Sequence, residues 1–283
     1  MESPRNVKRY RNVRRTHLVD SGLTGDPAPL AWKSCEPLAL AVVIFTFAGS
    51  MACGVRGSIP AAGASAPILL FTGTGTSPGD VAAVEAILDR DRLDYATVNS
   101  WRLNLMPESR LREYRLLIVP GGNFVKIGNS LTATAAANLR SAVQNGVNYL
   151  GICAGAFFAG DSPYNGLNLT SGVRFGFYAA ESQGIHKAAV TITGAGSTTL
   201  DQYWEDGPQL AGWGEVVGTY PDGTPAVVEG EFGRGWVILS GVHPEAAESW
   251  RRGLTFATPV EMDHAYALTL IRAALNRASL LHP

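Results

Sequence analysis

The chain has 283 residues, of which 46% are hydrophobic and 17% charged, with a formal net charge of −1; this predicts one large or two small folded domains and excludes extensive disorder beyond the front end. Basic residues crowd into that front end, where Arg5, Lys8, Arg9, Arg11, Arg14 and Arg15 are answered by Glu2 alone. The remainder is mildly acidic and offers no continuous basic face, so nucleic acid is excluded as a partner.

Residues 1–36 read as a basic leader; either a true start near Leu30 or a twin-arginine signal at Arg14-Arg15 would account for its length. Residues 37–53 follow with no charge and are shorter than the roughly 20 residues that span a bilayer. Small residues at Ser50 and Ala52 suit a signal peptidase, and Cys53 stands where a lipobox would carry lipid. Lipid attachment, simple cleavage and retention as an uncleaved anchor stay open. The expected location is extracytoplasmic, periplasmic or at the cell surface, with membrane contact only through this segment or a lipid. Residues 54–66 are small and flexible, as in a tether.

The domain is predicted over 67–283. Ile68-Leu69-Leu70-Phe71 is an apolar run suited to a buried parallel strand. A helix follows through Asp91, with Ser77 as its cap, Pro78 in its first turn and Val81, Val84, Ile87 and Leu88 inward. Strands are predicted at 95–98 and 116–119, a helix at 132–145 with Ala135, Leu139, Ala142 and Val143 inward, and a strand at 147–152. Alternation of this kind gives a parallel sheet with helices on both faces. The second half predicts strands at 173–178, 188–192, 215–220, 226–229 and 236–240, several of them in an antiparallel extension. A last helix is expected over 260–276, with Met262, Ala265, Leu268, Ile271 and Leu275 inward.

The chemistry concentrates at Gly151-Ile152-Cys153-Ala154-Gly155. Glycines beside a cysteine between a strand and a helix permit a tight turn that exposes the sulfur at the strand's carboxyl end. The chain has 3 cysteines; a cleaved leader would remove Cys35, and Cys53 could carry lipid, leaving Cys153 as a thiol without a disulfide partner. His243 follows the 236–240 strand and falls at the same sheet edge, where it can serve as base, and Glu245 can orient it. Glu245 and Glu248 also fit the start of a helix opened by Pro244. The N–H groups of Ala154 and of the Gly121-Gly122 turn are candidate oxyanion donors. Among the aromatics Phe157, Phe158, Tyr178, Tyr203 and Trp204, we single out Phe157 and Tyr203 as substrate-binding. His186 is a loop residue that could touch substrate, and His264 is expected on the surface of the last helix. Gly73-Thr74-Gly75 lacks the third glycine of a dinucleotide loop, and no phosphate loop or metal-ligand spacing occurs. No cofactor or metal is expected.

These residues resemble class I glutamine amidotransferase-like domains, and within them the biotin-protein ligase N-terminal-like branch. The resemblance runs over 68–274 and is carried by Val119-Pro120-Gly121-Gly122, the stretch from Tyr149 through Cys153 to Phe158, Asp206-Gly207-Pro208, and Leu239-Ser240-Gly241-Val242-His243-Pro244-Glu245. It implies a flavodoxin-like three-layer α/β sandwich with a mostly parallel sheet and an antiparallel strand-rich extension. It also implies a Cys153-His243-Glu245 triad attacking an amide carbonyl. Glutamine-hydrolysing relatives usually carry glutamine four residues past the nucleophile; this chain has Phe157. Two functions remain open: a thiol amidohydrolase or acyltransferase on a small amide, ester or peptide-like substrate, or a non-catalytic ligand-binding or interaction domain. Oligomeric state is not legible.

Overall fold

The computed structural model describes residues 66–283. The leader, the uncharged segment with Cys53 and nearly all of the tether lie outside the described residues. Among the described residues, no helix is long and apolar enough to cross a membrane.

The first half alternates strands and helices: β1 (Ile68–Phe71), α1 (Pro78–Arg90), β2 (Tyr95–Val98), α2 (Ser100–Asn104), α3 (Glu108–Leu111), β3 (Leu116–Val119), α4 (Phe124–Asn129), α5 (Ala133–Gln144), β4 (Asn148–Ile152) and α6 (Ala154–Ala159). Then come β5 (Gly176–Phe177), α7 (Ala179–Ser182), β6 (Lys187–Thr193), β7 (Thr199–Glu205), β8 (Pro208–Gln209), β9 (Glu215–Thr219), β10 (Pro225–Phe232), β11 (Gly235–Ser240) and α8 (Val260–Asn276). Nine strands form one sheet in the order β2-β1-β3-β4-β11-β10-β9-β6-β7. Pairing is parallel from β2 through β11 and antiparallel from β11 to β7.

Alternate side chains of the parallel strands point to opposite faces. Leu69, Phe71, Leu117, Val119 and Tyr149 pack beneath α5 and α6, while Ile68, Leu70, Leu116, Ile118 and Leu150 pack beneath α1 and α8. Both faces are covered, so β1, β3 and β4 are buried along their whole length. This is the expected three-layer sandwich.

Several local expectations change. The 173–178 strand shrinks to β5, and β7, which the sequence reading passed over, is seven residues long. Pro244 opens no helix; residues 244 and 245 form a turn. The 260–276 helix is correct in extent but rotated. It buries Asp263, Ala267, Leu270, Ile271, Ala273, Ala274 and Leu275, so Ile271 and Leu275 face inward as expected, while Ala265 is exposed, Leu268 is half-buried and Met262 is 51% exposed. The rotation follows from a buried polar contact: Gln202 Nε2 donates to Asp263 Oδ1 at 2.9 Å, and Arg251 Nη1 stands 3.4 Å from Oδ2. Hydrophobic periodicity alone does not register such a contact. His264 is half-buried instead of on the surface, with its Nε2 3.0 Å from the Ala246 carbonyl.

A candidate active site at the carboxyl edge of the sheet

Cys153 sits between β4 and α6 with φ 48° and ψ −102°. A non-glycine residue in that region stores about 1–3 kcal/mol of backbone strain, so its surroundings must hold it. They do so from two sides. Its N–H donates to the Ser240 carbonyl of β11 at 2.7 Å, and α6 lies so close to β3 that a Cβ at Gly155 would come within 1.9 Å of the Val119 carbonyl oxygen. The sulfur lies 3.5 Å from the Glu205 carbonyl oxygen at the end of β7.

His243 follows β11. Its backbone forms an antiparallel bridge with Tyr203 of β7, the N–H donating to the Tyr203 carbonyl at 2.8 Å. The far edge of the sheet thus curls back onto the carboxyl ends of the parallel strands. The imidazole Nδ1 lies 3.0 Å from Glu245 Oε1 and also 3.0 Å from Asp80 Oδ1. One N–H cannot point at both oxygens; its direction matches Glu245, and Asp80 Oδ1 and Glu245 Oε2 are left without hydrogen-bond partners. With Nδ1 turned to the carboxylates, Nε2 is the nitrogen that remains for the sulfur.

The three groups are buried and strongly coupled. Burial by itself pulls His243 down, but the charge of Cys153, then that of Glu245, and the closeness of Asp80 and Cys153 outweigh it and hold the imidazole well above its ordinary value. Burial raises Glu245, and its attraction to His243 offsets this only in part. Burial also acts to raise Asp80, yet its attraction to His243 3.0 Å away, with help from Ser77, carries it below the usual carboxylate range. Asp80 is therefore the carboxylate that keeps its charge most firmly.

Asp80 escaped the sequence reading. It stands in the first turn of α1, capped by Ser77, where an acid is already favoured by the helix end. The usable signal was its place: a helix that follows β1 opens at the same carboxyl edge as Cys153. Gly121 leaves it room, since a Cβ there would fall 2.0 Å from Asp80 Oδ1 and 2.7 Å from His243 Cε1.

A cavity of about 320 Å³ opens over the sulfur. Gly122, Ala154 and Phe157 line it, and among the described residues the N–H groups of Gly122 and Ala154 donate to no protein acceptor. Gly121 does not line the cavity, and its carbonyl accepts from Ser77 N–H at 3.0 Å. Tyr203 does not line it either; the ring packs 5.9 Å from His243, and its hydroxyl donates to Glu205 Oε2 at 2.7 Å. Phe158 and Trp204 are core residues, and Tyr178 stacks on Tyr220 at 3.8 Å. His186 reaches the rim through Asp206, 2.9 Å away. Glu205, absent from the sequence-based candidates, faces the cavity. A separate, mostly apolar cavity of about 240 Å³ lies among Ile192, Val217, Tyr266 and Leu280, and neither Cys153 nor His243 lines it.

Asp80, His243 and Glu245 also bring three atoms capable of binding a cation within 4.8 Å of one another. A metal on Nδ1 would occupy the lone pair that the N–H to Glu245 uses, so the two roles exclude each other. The hydrogen-bond alignment fits the orienting role.

Residues 66–168 match the family described as "Biotin-protein ligase, N terminal". The family match takes in β1 through α6, including Asp80, the Gly121-Gly122 turn and Cys153, and ends before His243. No curated protein matches the chain in sequence. Among solved structures, one described as a glutamine amidotransferase is similar at 20% identity, with a TM-score of 0.52, over 72% of this chain and 98% of that one. The glutamine amidotransferase-like fold therefore extends beyond the biotin-protein ligase N-terminal segment. An exo-β-1,4-mannosidase from Opitutaceae bacterium strain TAV5 is similar at 16% identity and TM-score 0.47, over 75% of this chain and 36% of that one. A β-galactosidase from Halorubrum lacusprofundi follows at 19% identity and TM-score 0.43, over 75% and 31%. The chain spans about a third of each glycosidase.

Proposed function

We propose that the domain is a cysteine-dependent amidohydrolase or acyltransferase acting on a small amide, ester or peptide-like substrate. The observation that carries this reading is the meeting of Cys153, held in a strained turn, with a buried His243 already hydrogen-bonded to Glu245 beneath one cavity. Such a set matches the arrangement of a nucleophile, a base and an orienting carboxylate.

In this mechanism the Cys153 thiolate attacks the carbonyl carbon, and the carbonyl π electrons move to oxygen. The free N–H groups of Gly122 and Ala154 receive that oxyanion. His243 gives its Nε2 proton to the departing amine or alcohol, the bond to the carbonyl carbon breaks, and a thioester remains. Water or an acceptor amine then attacks the thioester while Nε2 takes its proton, and sulfur leaves as thiolate. Glu245 keeps the imidazole oriented through Nδ1, and Asp80 adds a second negative charge beside the same nitrogen. The uncharged segment ending at Cys53 supports an extracytoplasmic location, with lipid on Cys53 or simple cleavage.

The test is intact-mass detection of an acyl adduct after incubation with a panel of small esters and amides. An adduct on the wild-type chain that is absent in Cys153→Ala is expected. Iodoacetamide labelling of Cys153 across pH, compared with His243→Ala, provides the control: a rate that His243 does not influence would favour a ligand-binding domain instead.

A further inference from the structure

The cavity is lined by two unlike sets of side chains. Phe157 stacks on Phe124 with ring centroids 4.6 Å apart and meets Phe177 at 4.9 Å. All three rings line the cavity, and Phe177 is 42% exposed although it is a large apolar side chain. Phe157 itself is 6% exposed, held by its neighbours in the position where glutamine-hydrolysing relatives usually have a polar amide. Glu205 and Asp206 line the same cavity, and Asp80 lines it beside His243. Among the described residues, no lysine or arginine lines the cavity.

Among the described residues, neither rim acid pairs with a lysine or arginine. Glu205 uses Oε2 to accept from Tyr203, and within those residues its Oε1 has no partner. Lys187 is its backbone partner across the β6–β7 ladder but forms no ion pair with it among the described residues. Asp206 has only His186, in a contact whose side chains are 65% and 45% exposed. The free face of a carboxylate and the π-face of an aromatic ring both favour a cation, and the ring wall favours a flat apolar group. A substrate bearing a carboxylate, as free glutamine does, would meet like charge there.

We infer that the ligand of this cavity joins a flat apolar or aromatic group to a cationic amine, so that the scissile amide or ester belongs to an aromatic, positively charged molecule. This rests on the reading of Cys153 as nucleophile and adds the chemical class on which it acts. The aromatic group lies on Phe124, Phe157 and Phe177, and the ammonium faces Glu205 and Asp206.

Chloroacetamides test the class without requiring turnover. Four are compared, each rate being divided by that of free cysteine: N-(4-aminomethylbenzyl), N-benzyl, N-(4-carboxybenzyl) and N-(2-aminoethyl). The rate of Cys153 alkylation is read by intact mass. The cationic benzyl probe is expected to react about tenfold or more faster than the anionic one at low salt, with the gap shrinking as salt screens the rim. The Glu205→Gln/Asp206→Asn pair should bring that ratio close to one, while the glutamine still accepts from Tyr203. Phe177→Ala should reduce the preference for cationic benzyl over aminoethyl. An anionic probe as fast as the cationic one, or a ratio indifferent to both salt and the double variant, overturns the inference. Matched 4-(aminomethyl)benzoyl and 4-carboxybenzoyl thioester-forming esters separate this from the reaction itself. Charge-ordered alkylation with no acyl adduct from any ester leaves the ligand class standing and removes the hydrolase reading. Acyl adducts formed equally from both charges do the reverse.

Discussion

β1, β3 and β4 bury nothing but apolar side chains and backbone, apart from Asn148, whereas the strands from β6 to β10 carry Gln202 and Glu229 into the interior with no exposure at all. The parallel half is held by hydrophobic burial, worth about 1.5–3 kcal/mol for each fully buried large side chain. The antiparallel half depends in addition on pairing its buried polar atoms. Gln202 meets Asp263 of α8, and Glu229 Oε1 accepts from Ser279 Oγ, Leu280 N–H and His282 Nε2 of the C-terminal tail. The site straddles the two halves: Cys153 and Asp80 come from the first, Glu205 and Asp206 from the second, and His243 from the loop after the parallel strand β11 that joins them. Cys153, the proposed nucleophile, is thus mounted on the apolar half and much of its surroundings on the polar half, so the two halves should respond differently to mutation and to pH.

The strongest contrast is chemical. Cys153→Ala should lower acyl transfer about a thousandfold or more without lowering the melting temperature, because the strained turn loses its reactive atom but keeps its backbone contacts; turnover and thermal unfolding measured on one preparation check both halves of that statement. Gly155→Ala should cost about 3 kcal/mol or more by driving a Cβ into the Val119 carbonyl, read as a lower denaturant midpoint. A near-neutral result would mean that α6 is free to shift away from β3. In the antiparallel half, Glu229→Ala should cost about 2–3 kcal/mol and expose the tail to carboxypeptidase, since three donors lose one charged acceptor.

The pH response should come from the polar half as well. Burial raises Asp263 from 3.8 to about 7, against the attraction of Arg251 and with a further push from Asp201. The folded protein therefore retains a proton that the unfolded chain has released, and this contribution to stability falls as pH rises from about 4 to about 7, then levels off. Asp263→Asn should flatten that slope in denaturation curves taken across the window; an unchanged slope would place the titration elsewhere. The smallest effect expected is for Asp80→Asn, a loss of about tenfold in the rate of Cys153 alkylation, the usual scale for a charge acting through a neighbouring group. Glu245→Gln should exceed it, because Glu245 receives the aligned Nδ1–H.

The elements most easily read were those whose pattern is local. The apolar runs of β1 and β3, the Ser77 and Thr132 caps of α1 and α5, and the Gly-Ile-Cys-Ala-Gly turn each carry their cause within a few residues. Strand β7 was missed because Asp201, Gln202 and Glu205 interrupt its apolar pattern, and α8 was rotated because Asp263 is buried against Gln202, 61 residues away in sequence. Asp80 was overlooked because an acid in the first turn of a helix already has an adequate local explanation.

The order of residues by itself determined the alternating architecture, the family likeness and the cysteine on its tight turn, because steric limits and hydrophobic periodicity act between near neighbours. Only the tertiary structure decided that β7 meets Cys153 and His243 beyond the ends of β4 and β11, that two carboxylates lie beside one imidazole nitrogen, and that aromatic rings and acids line one mouth. Those features arise between residues far apart in the chain, where burial and pairing are set by how the sheet curls and not by any local pattern.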